Sequence, residues 1–163
     1  MTLRFRLTPS KALRRVAALT VFGAASLALG ACDSPLVGLE DNPDVEQFVQ
    51  LMNAHRQSVG CEPLGWNPVA ADVAREHSQD MIDRSYFAHD NPDGHSPFDR
   101  MASAGLTYSR AAENIAYGYP TAEAVLDGWL NSPGHRRNIE NCNLTEHGVG
   151  LVGTHWTHVF LTP

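Results

Sequence analysis

The chain has 163 residues, 43% of them hydrophobic, and a formal net charge of −6 at pH 7. Five of its twelve basic residues and none of its eighteen acidic ones lie in the first 31 positions, so the remainder is formally −11. That remainder has no lysine and no basic stripe, which excludes charge-driven binding to nucleic acid or to an anionic membrane surface. Its length of about 130 residues is that of one ordinary domain.

The first 31 residues have the regions of an export signal in the expected order. Basic residues come first, and an uncharged apolar run from Val16 to Leu29 follows. This run is shorter than the roughly 20 residues that a bilayer-spanning helix needs. Leu29-Gly30-Ala31-Cys32 resembles the lipobox of bacterial lipoproteins, in which the cysteine becomes the lipidated first residue. We expect a protein exported to the cell envelope and held at the membrane by lipid alone; a cleaved signal followed by a chance cysteine is the alternative.

The predicted organisation is therefore a lipoprotein signal peptide at 1–31, a tether at 32–41 and one domain at 42–163. Three cysteines are an odd number for an exported chain. If Cys32 carries lipid, Cys61 and Cys142 remain as one pair in a compartment that permits disulfides. We predict a disulfide between them; two buried free thiols are the alternative.

Two helices open the domain with the same start signal, an asparagine followed by a proline. The first is predicted from Asn42-Pro43 to Gly60, and the second starts at Asn67-Pro68 and carries its apolar stripe to Met81. His55 and His77 fall on these stripes. A histidine there is more often a hydrogen-bonded core residue than a ligand, so neither is taken as a site residue.

The segment from Tyr86 to Arg100 predicts a rigid loop that presents polar side chains. Asn91-Pro92-Asp93-Gly94 is typical of a turn, because proline presets φ at the second position and glycine is favoured at the fourth. His89 and His95 flank this turn. A solvated or capping role is the alternative for each histidine unless partners from elsewhere in the chain converge on it.

Two further inferences concern the ends of this loop, Tyr86 and Phe87 at its start and Arg100 at its end. Tyr86 and Phe87 are predicted to anchor its start in a core. A calcium loop is excluded, since Arg100 stands where a bidentate glutamate is required.

The segment from Ala111 to Gly118 holds a single acid, Glu113, among small and apolar residues. A buried carboxylate must be paired, ligating or neutralised, so Glu113 is a candidate site residue. Accepting backbone N–H bonds, and so tying loops together, is an equal alternative.

The remaining elements are read from caps, glycines and strand alternation. They are a short helix over 98–104, a helix from Thr121 to Trp129, a final short helix after Asn131, and strands at 148–152 and 155–161. In the last strand, His155, Thr157 and Val159 share one face, and Trp156, His158 and Phe160 share the other. Helices first and strands late predict an α+β fold, with helices covering a small, mostly antiparallel sheet.

Four motifs in this order resemble the CAP superfamily of cysteine-rich secretory, antigen 5 and pathogenesis-related proteins, and in particular its bacterial SCP-domain branch. They are Tyr86-Phe87-Ala88-His89, Glu113-Asn114-Ile115-Ala116, Trp129-Leu130-Asn131-Ser132-Pro133-Gly134-His135-Arg136 and His155-Trp156-Thr157-His158-Val159-Phe160. The resemblance covers nearly all of residues 44–161. It implies a three-layer α-β-α sandwich with a central cleft.

The resemblance also implies a set of site residues. The family's cleft has two histidines and two glutamates that can hold a divalent cation. His89, Glu113 and His155 match three of them, and Ser132 stands in place of the second glutamate. His135 is a further candidate for the cleft. Two imidazoles and one carboxylate suit zinc, so a divalent cation, zinc above all, is the expected cofactor.

We expect a monomeric, non-enzymatic module that binds a small apolar ligand or an envelope protein. The competing hypothesis is a metal-dependent hydrolase of peptide or peptidoglycan. A purely structural domain with a vestigial cleft is the third.

Overall fold

The structure is a computed structural model that describes residues 42–163. The predicted signal peptide, the tether and Cys32 lie outside the described residues. The helices are α1 (Pro43–Ser58), α2 (Pro68–Asp83), α3 (Pro97–Ser103), α4 (Ala122–Leu130) and α5 (Pro133–Ile139). The strands are β1 (Gly65–Trp66), β2 (Arg110–Tyr117), β3 (Glu146–Val152) and β4 (His155–Thr162). Across 42–163, no helix is long and apolar enough to cross a membrane.

The four strands form one sheet in the order β1-β3-β4-β2. β1 runs parallel to β3, whereas β3 with β4 and β4 with β2 are antiparallel pairs. The predicted α+β class and mostly antiparallel sheet are confirmed. Sequence patterns predicted only β3 and β4: β1 has two residues, and β2 is the Ala-rich segment around Glu113.

Each face of the sheet packs a separate apolar core. On one face, Val159 and Leu161 of β4 pack with α2 and with Met101 of α3. On the other, Trp156 and Phe160 of β4 pack with α1, α4 and Ile139 at the end of α5. The predicted assignment of alternate β4 residues to opposite faces is therefore confirmed, and so is the three-layer arrangement.

Helix α2 lies directly against β3 because two residues of that strand have no side chain. A Cβ added at Gly148 would overlap the backbone of Ala70 and Ala71, and one added at Gly150 would overlap the backbone of Arg75. The helix backbone occupies the space that side chains would fill. This close approach fixes the depth and position of α2 on the sheet.

The helix starts follow the predicted capping chemistry. Asn42 and Asn67 accept backbone N–H bonds at the starts of α1 and α2, and Thr121 does the same for α4. Ser96 and Asp99 form a reciprocal capping box on α3. These bonds satisfy N–H groups that have no partner within the helix, and so they define where these four helices begin.

A disulfide and a buried arginine hold the segment between α5 and β3. Cys61 and Cys142 are bonded across a sequence separation of 81 residues, which confirms the predicted pair. Closing a loop of this length stabilises the folded state by about 4 kcal/mol in the loop-entropy model. Arg56, only 1% exposed, donates to the carbonyl groups of Glu62, Ile139, Asn141 and Leu144.

Two histidines are fully buried in the sheet and bonded to each other. His147 Nδ1 and His158 Nε2 are 3.0 Å apart. Burial lowers the pKa of His147 to about 3, and burial together with the neighbouring His147 and Arg56 lowers the pKa of His158 well below its usual value. Both rings are therefore neutral at physiological pH.

Substitution of Gly148 should be strongly destabilising. Gly148→Ala is expected to lower the free energy of unfolding by about 3 kcal/mol, because the new methyl group meets backbone that can move only with the whole of α2. Gly134→Ala is the matched control, since an added Cβ there comes no closer than 3.9 Å to another residue. It should be neutral or stabilising by up to about 1 kcal/mol. Urea unfolding measures both, and a Gly148→Ala protein as stable as the parent would contradict the account.

The buried histidine pair should make the fold sensitive to mild acid. Each folded-state pKa lies below the unfolded value of about 6.5, so as pH falls below that value only the unfolded chain gains protons. The free energy of unfolding should decline by about 1.4 kcal/mol per pH unit for each histidine. Urea unfolding at pH 7.5 and 5.5 should show a loss of about 2 to 3 kcal/mol.

A neutral replacement isolates the contribution of this pair. The double variant His147→Gln, His158→Gln should lose most of that pH dependence. An equal loss in parent and variant would contradict it. If the variant does not fold, NMR titration of the parent serves instead, because both imidazole rings should still be neutral at pH 5.

Candidate functional site

The loop between α2 and α3 is held in one conformation by its own hydrogen bonds. Gly94, at a φ of +85°, donates its N–H to the carbonyl of Asn91 at 2.8 Å, which closes the predicted turn. The Asn91 side chain accepts from the N–H groups of Asp93 and His95. Upstream, the buried His77 donates from Nε2 to the carbonyl of Ala88 at 3.1 Å. The residue next to that carbonyl is His89.

His89, Arg100 and Glu113 meet at β2, the edge strand of the sheet. His89 Nδ1 donates to Glu113 Oε1 at 2.7 Å, and Arg100 Nη2 donates to Glu113 Oε2 at 2.7 Å. The Glu113 side chain is 2% exposed, whereas the His89 side chain is 48% exposed. The loop, α3 and β2 each contribute one residue, and the acid is the buried centre of the cluster. In this structure Glu113 is a carboxylate paired with two side chains, and both of its oxygens accept from them.

The carboxylate controls the state of the exposed histidine. The hydrogen bond that His89 donates to Glu113 raises the pKa of His89, although partial burial and the charge of Arg100 oppose the shift. Because the carboxylate accepts from Nδ1, the proton of neutral His89 is on Nδ1. Within residues 42–163, His89 Nε2 makes no hydrogen bond. When the ring is neutral, that atom can accept a hydrogen bond.

His155 does not join this cluster, which corrects the predicted convergence of three residues. In the β2–β4 register Glu113 pairs with Val159, whereas His155 pairs with Tyr117. The two positions share a face but lie four residues apart, about 13 Å along the strands. The His155 ring instead stacks on Tyr117, with ring centroids 4.5 Å apart.

The residues present do not fit a zinc centre. In the part of the chain that the structure describes, no three His, Cys, Asp or Glu side chains are grouped closely enough to hold a metal ion. Both oxygens of Glu113 are already bonded, one of them to a guanidinium. A structural zinc site needs four ligands and a catalytic one three protein ligands, and this cluster offers one free imidazole nitrogen.

Next to the cluster is a groove of about 290 Å³ with mostly apolar walls. The groove residues are Phe87, Ile115, Ala116, Tyr117, Tyr119, Gly128, Trp129, Ser132 and His135. Ser132, which stands in place of the family's second glutamate, and His135, the further cleft candidate, both line this groove. Burial and the positive charge of His89 lower the pKa of His135, so this histidine is neutral at physiological pH. The walls of the groove are therefore uncharged.

Two exposed aromatic rings separate this groove from a second cavity. Phe87 is 51% exposed and Tyr117 is 60% exposed, with ring centroids 6.3 Å apart. The second cavity, of about 400 Å³, lies on the other side of the pair and contains His155 and Tyr86. The prediction that Phe87 anchors the loop in a core is wrong, because its ring lies at the surface and lines both cavities.

Helix α5 is attached to β2 by amide side chains. Asn114 donates to the carbonyl of His135 at 3.1 Å, and Asn138 donates to Asn114 Oδ1 at 2.8 Å. These bonds set the distance between His135 and β2. They also explain the asparagine that follows Glu113 in the sequence.

Sequence reasoning missed Arg100 and the aromatic pair as site residues. Arg100 was considered only as a residue unsuited to calcium, and its contact with Glu113 is long-range. The sequence did contain a signal for Arg100. A buried Glu113 needs a cationic partner, and few arginines lie near it in the sequence. Tyr117 could have been found as the residue that continues the Glu113 face of an extended segment.

Residues 49–161 match the family model described as the cysteine-rich secretory protein family, CAP. In Bacillus subtilis, the uncharacterized protein YkwD is 48% identical over 118 residues, which are 71% of this chain and 46% of YkwD. The chain thus spans less than half the length of that relative.

Solved structures give the same fold. An extracellular protein containing an SCP domain from Bacillus anthracis superposes with a TM-score of 0.72 at 38% identity, over 74% of this chain and 40% of that one. An outer surface protein of Borrelia burgdorferi gives a TM-score of 0.70 at 19% identity, over 76% of this chain and 96% of that one. The second likeness concerns the fold alone.

Proposed function

Because the chain belongs to the cysteine-rich secretory protein family, CAP, we propose that it is an exported protein that binds a small, largely apolar ligand at the cell envelope without catalysis. The binding site is the groove between the Phe87–Tyr117 pair and Trp129. The observation that carries this proposal is the exposed aromatic pair at the rim of an uncharged cavity. Exposed aromatic rings beside a concave apolar surface are the usual composition of a small-molecule site.

The size of the groove agrees with this ligand class. A volume near 290 Å³ is at the lower end of the range for small-molecule sites. Ser132 and His135 supply two polar contacts within otherwise apolar walls, and His89 lies close enough for its charge to act on His135. An apolar body with one polar end matches this distribution. An envelope protein inserting an apolar side chain is the other partner that the groove allows.

The charge cluster argues against the competing hydrolase hypothesis. A metal-dependent hydrolase of peptide or peptidoglycan needs a carboxylate or imidazole set that is free to ligate or to take a proton. Glu113 is instead bonded through both oxygens to His89 and Arg100. A carboxylate bonded through both oxygens orients its two partners and is not free to ligate a metal or to take a proton.

Export has independent support. The Bacillus anthracis protein, 38% identical to this chain, is described as extracellular. The leader and Leu29-Gly30-Ala31-Cys32 add a lipid anchor to the proposal. A domain tethered in this way keeps its groove at the membrane surface, where apolar ligands concentrate.

Removal of either rim ring should weaken binding of an apolar probe. For anilinonaphthalene sulfonate followed by fluorescence on the purified full chain, Phe87→Ser and Tyr117→Ser should each raise the Kd about fivefold, which corresponds to about 1 kcal/mol of lost aromatic contact. Phe98→Ser is the control, because Phe98 is similarly exposed, at 48%, but lies outside the groove. Equal effects at all three positions would contradict the proposal. Turnover of peptidoglycan that Glu113→Gln abolishes would establish the hydrolase instead.

Substitution of Cys32 should release the protein from the membrane. With Cys32→Ser the lipid cannot be attached, so the protein should move from the membrane fraction to the soluble fraction. Mass spectrometry of the parent should find an acylated Cys32 as its first residue. An unmodified N-terminus at another position would contradict lipid anchoring and leave the groove proposal untouched.

A further inference from the structure

Arg100 binds oxygen atoms from three residues at once. Its Nη2 donates to Glu113 Oε2 at 2.7 Å, while Nη1 donates to the carbonyl of His89 at 2.8 Å and to the carbonyl of His95 at 3.2 Å. These are a carboxylate of β2 and two carbonyls of the loop. The guanidinium therefore joins the loop to the sheet through oxygen contacts alone.

Carboxylate and carbonyl oxygens are also the ligands that hard divalent cations take in proteins. The Arg100 side chain is 14% exposed and that of Glu113 is 2% exposed, so the charge of the acid is neutralised inside the domain. A metal ion at Glu113 would have to displace the guanidinium and leave it without its carboxylate partner. A buried charge displaced in this way is strongly destabilising.

We propose that Arg100 is the built-in cation of this cleft, which takes the place of a divalent metal ion at Glu113 and makes the site independent of metal. The guanidinium neutralises the buried carboxylate and holds the loop that carries His89. It is a positioning residue, since it acts on His89 through Glu113 and through the loop backbone. This inference concerns the same cleft as the proposed function, but metal ions and not the groove ligand test it, so either can fail alone.

The first test compares thermal unfolding of the purified full chain in a chelator and in zinc chloride. The parent should have the same Tm in both, within about 1 °C, or a shift that Glu113→Gln leaves unchanged because the zinc is bound elsewhere. Arg100→Met should lower the Tm by about 5 °C or more, because it leaves a buried carboxylate without its cation. Zinc should then raise the Tm of this variant, since the freed Glu113 and His89 become available to a metal, and Glu113→Gln in the same background should remove that response.

Arg84→Met is the matched control. Arg84 also reaches the loop, through an ion pair with Asp93, but its side chain is 35% exposed and it does not contact Glu113. It should shift the Tm by no more than about 2 °C, and it should not create a zinc response. A zinc response equal to that of Arg100→Met would overturn the proposal.

A measurement on the parent keeps the proposal falsifiable if Arg100→Met does not fold. The NMR signals of the His89 ring should not move when one equivalent of zinc is added, and Nδ1 should remain protonated. Zinc bound at other histidines leaves these signals in place and agrees with the proposal. Movement of the His89 signals at stoichiometric zinc, with a rise in Tm that Glu113→Gln abolishes, would overturn it.

Discussion

The close contact between α2 and the glycines of β3 sets the position of the site. The helix backbone packs directly on Gly148 and Gly150, so it can neither rise from the sheet nor slide along it. The end of α2 is thereby fixed, and the loop that follows starts beside β2. His77 of the same helix holds the carbonyl of Ala88. The location of His89 above Glu113 thus follows from two strand residues that have no side chain.

The buried acid is the second constraint. A carboxylate that is 2% exposed is stable only with partners that neutralise it. Arg100 comes from α3 and His89 from the loop before it, and Glu113 bonds both of them to the sheet. The same bonds that stabilise the fold therefore order the loop that carries His89. The residues that order the loop are therefore the same residues that set the chemistry of the cleft.

Local signals predicted most of the fold. The Asn-Pro helix starts, the turn at 91–94 and the alternating faces of β4 depend on residues that are near one another in sequence. The cysteine pair was predicted from the number of cysteines. β2 escaped prediction because alanine-rich segments lack strand propensity, and only pairing with β4 makes it a strand. The grouping of His155 with Glu113 failed for the same physical reason. The two-residue period of a strand shows which residues share a face of the sheet. The distance between two such residues on neighbouring strands depends on the register of the strands.

The edge of β2 shows which kind of recognition the cleft can support. An uncovered edge strand invites pairing with another strand through its free carbonyl and N–H groups. Here Trp129 donates its indole N–H to the carbonyl of Ile115 at 3.2 Å, and Asn138 reaches the carbonyl of Glu113 at 3.4 Å. An added strand would have to displace both donors and α5 with them. Recognition in the proposed function therefore uses the side chains of the groove, an arrangement suited to a ligand that has no peptide backbone to offer.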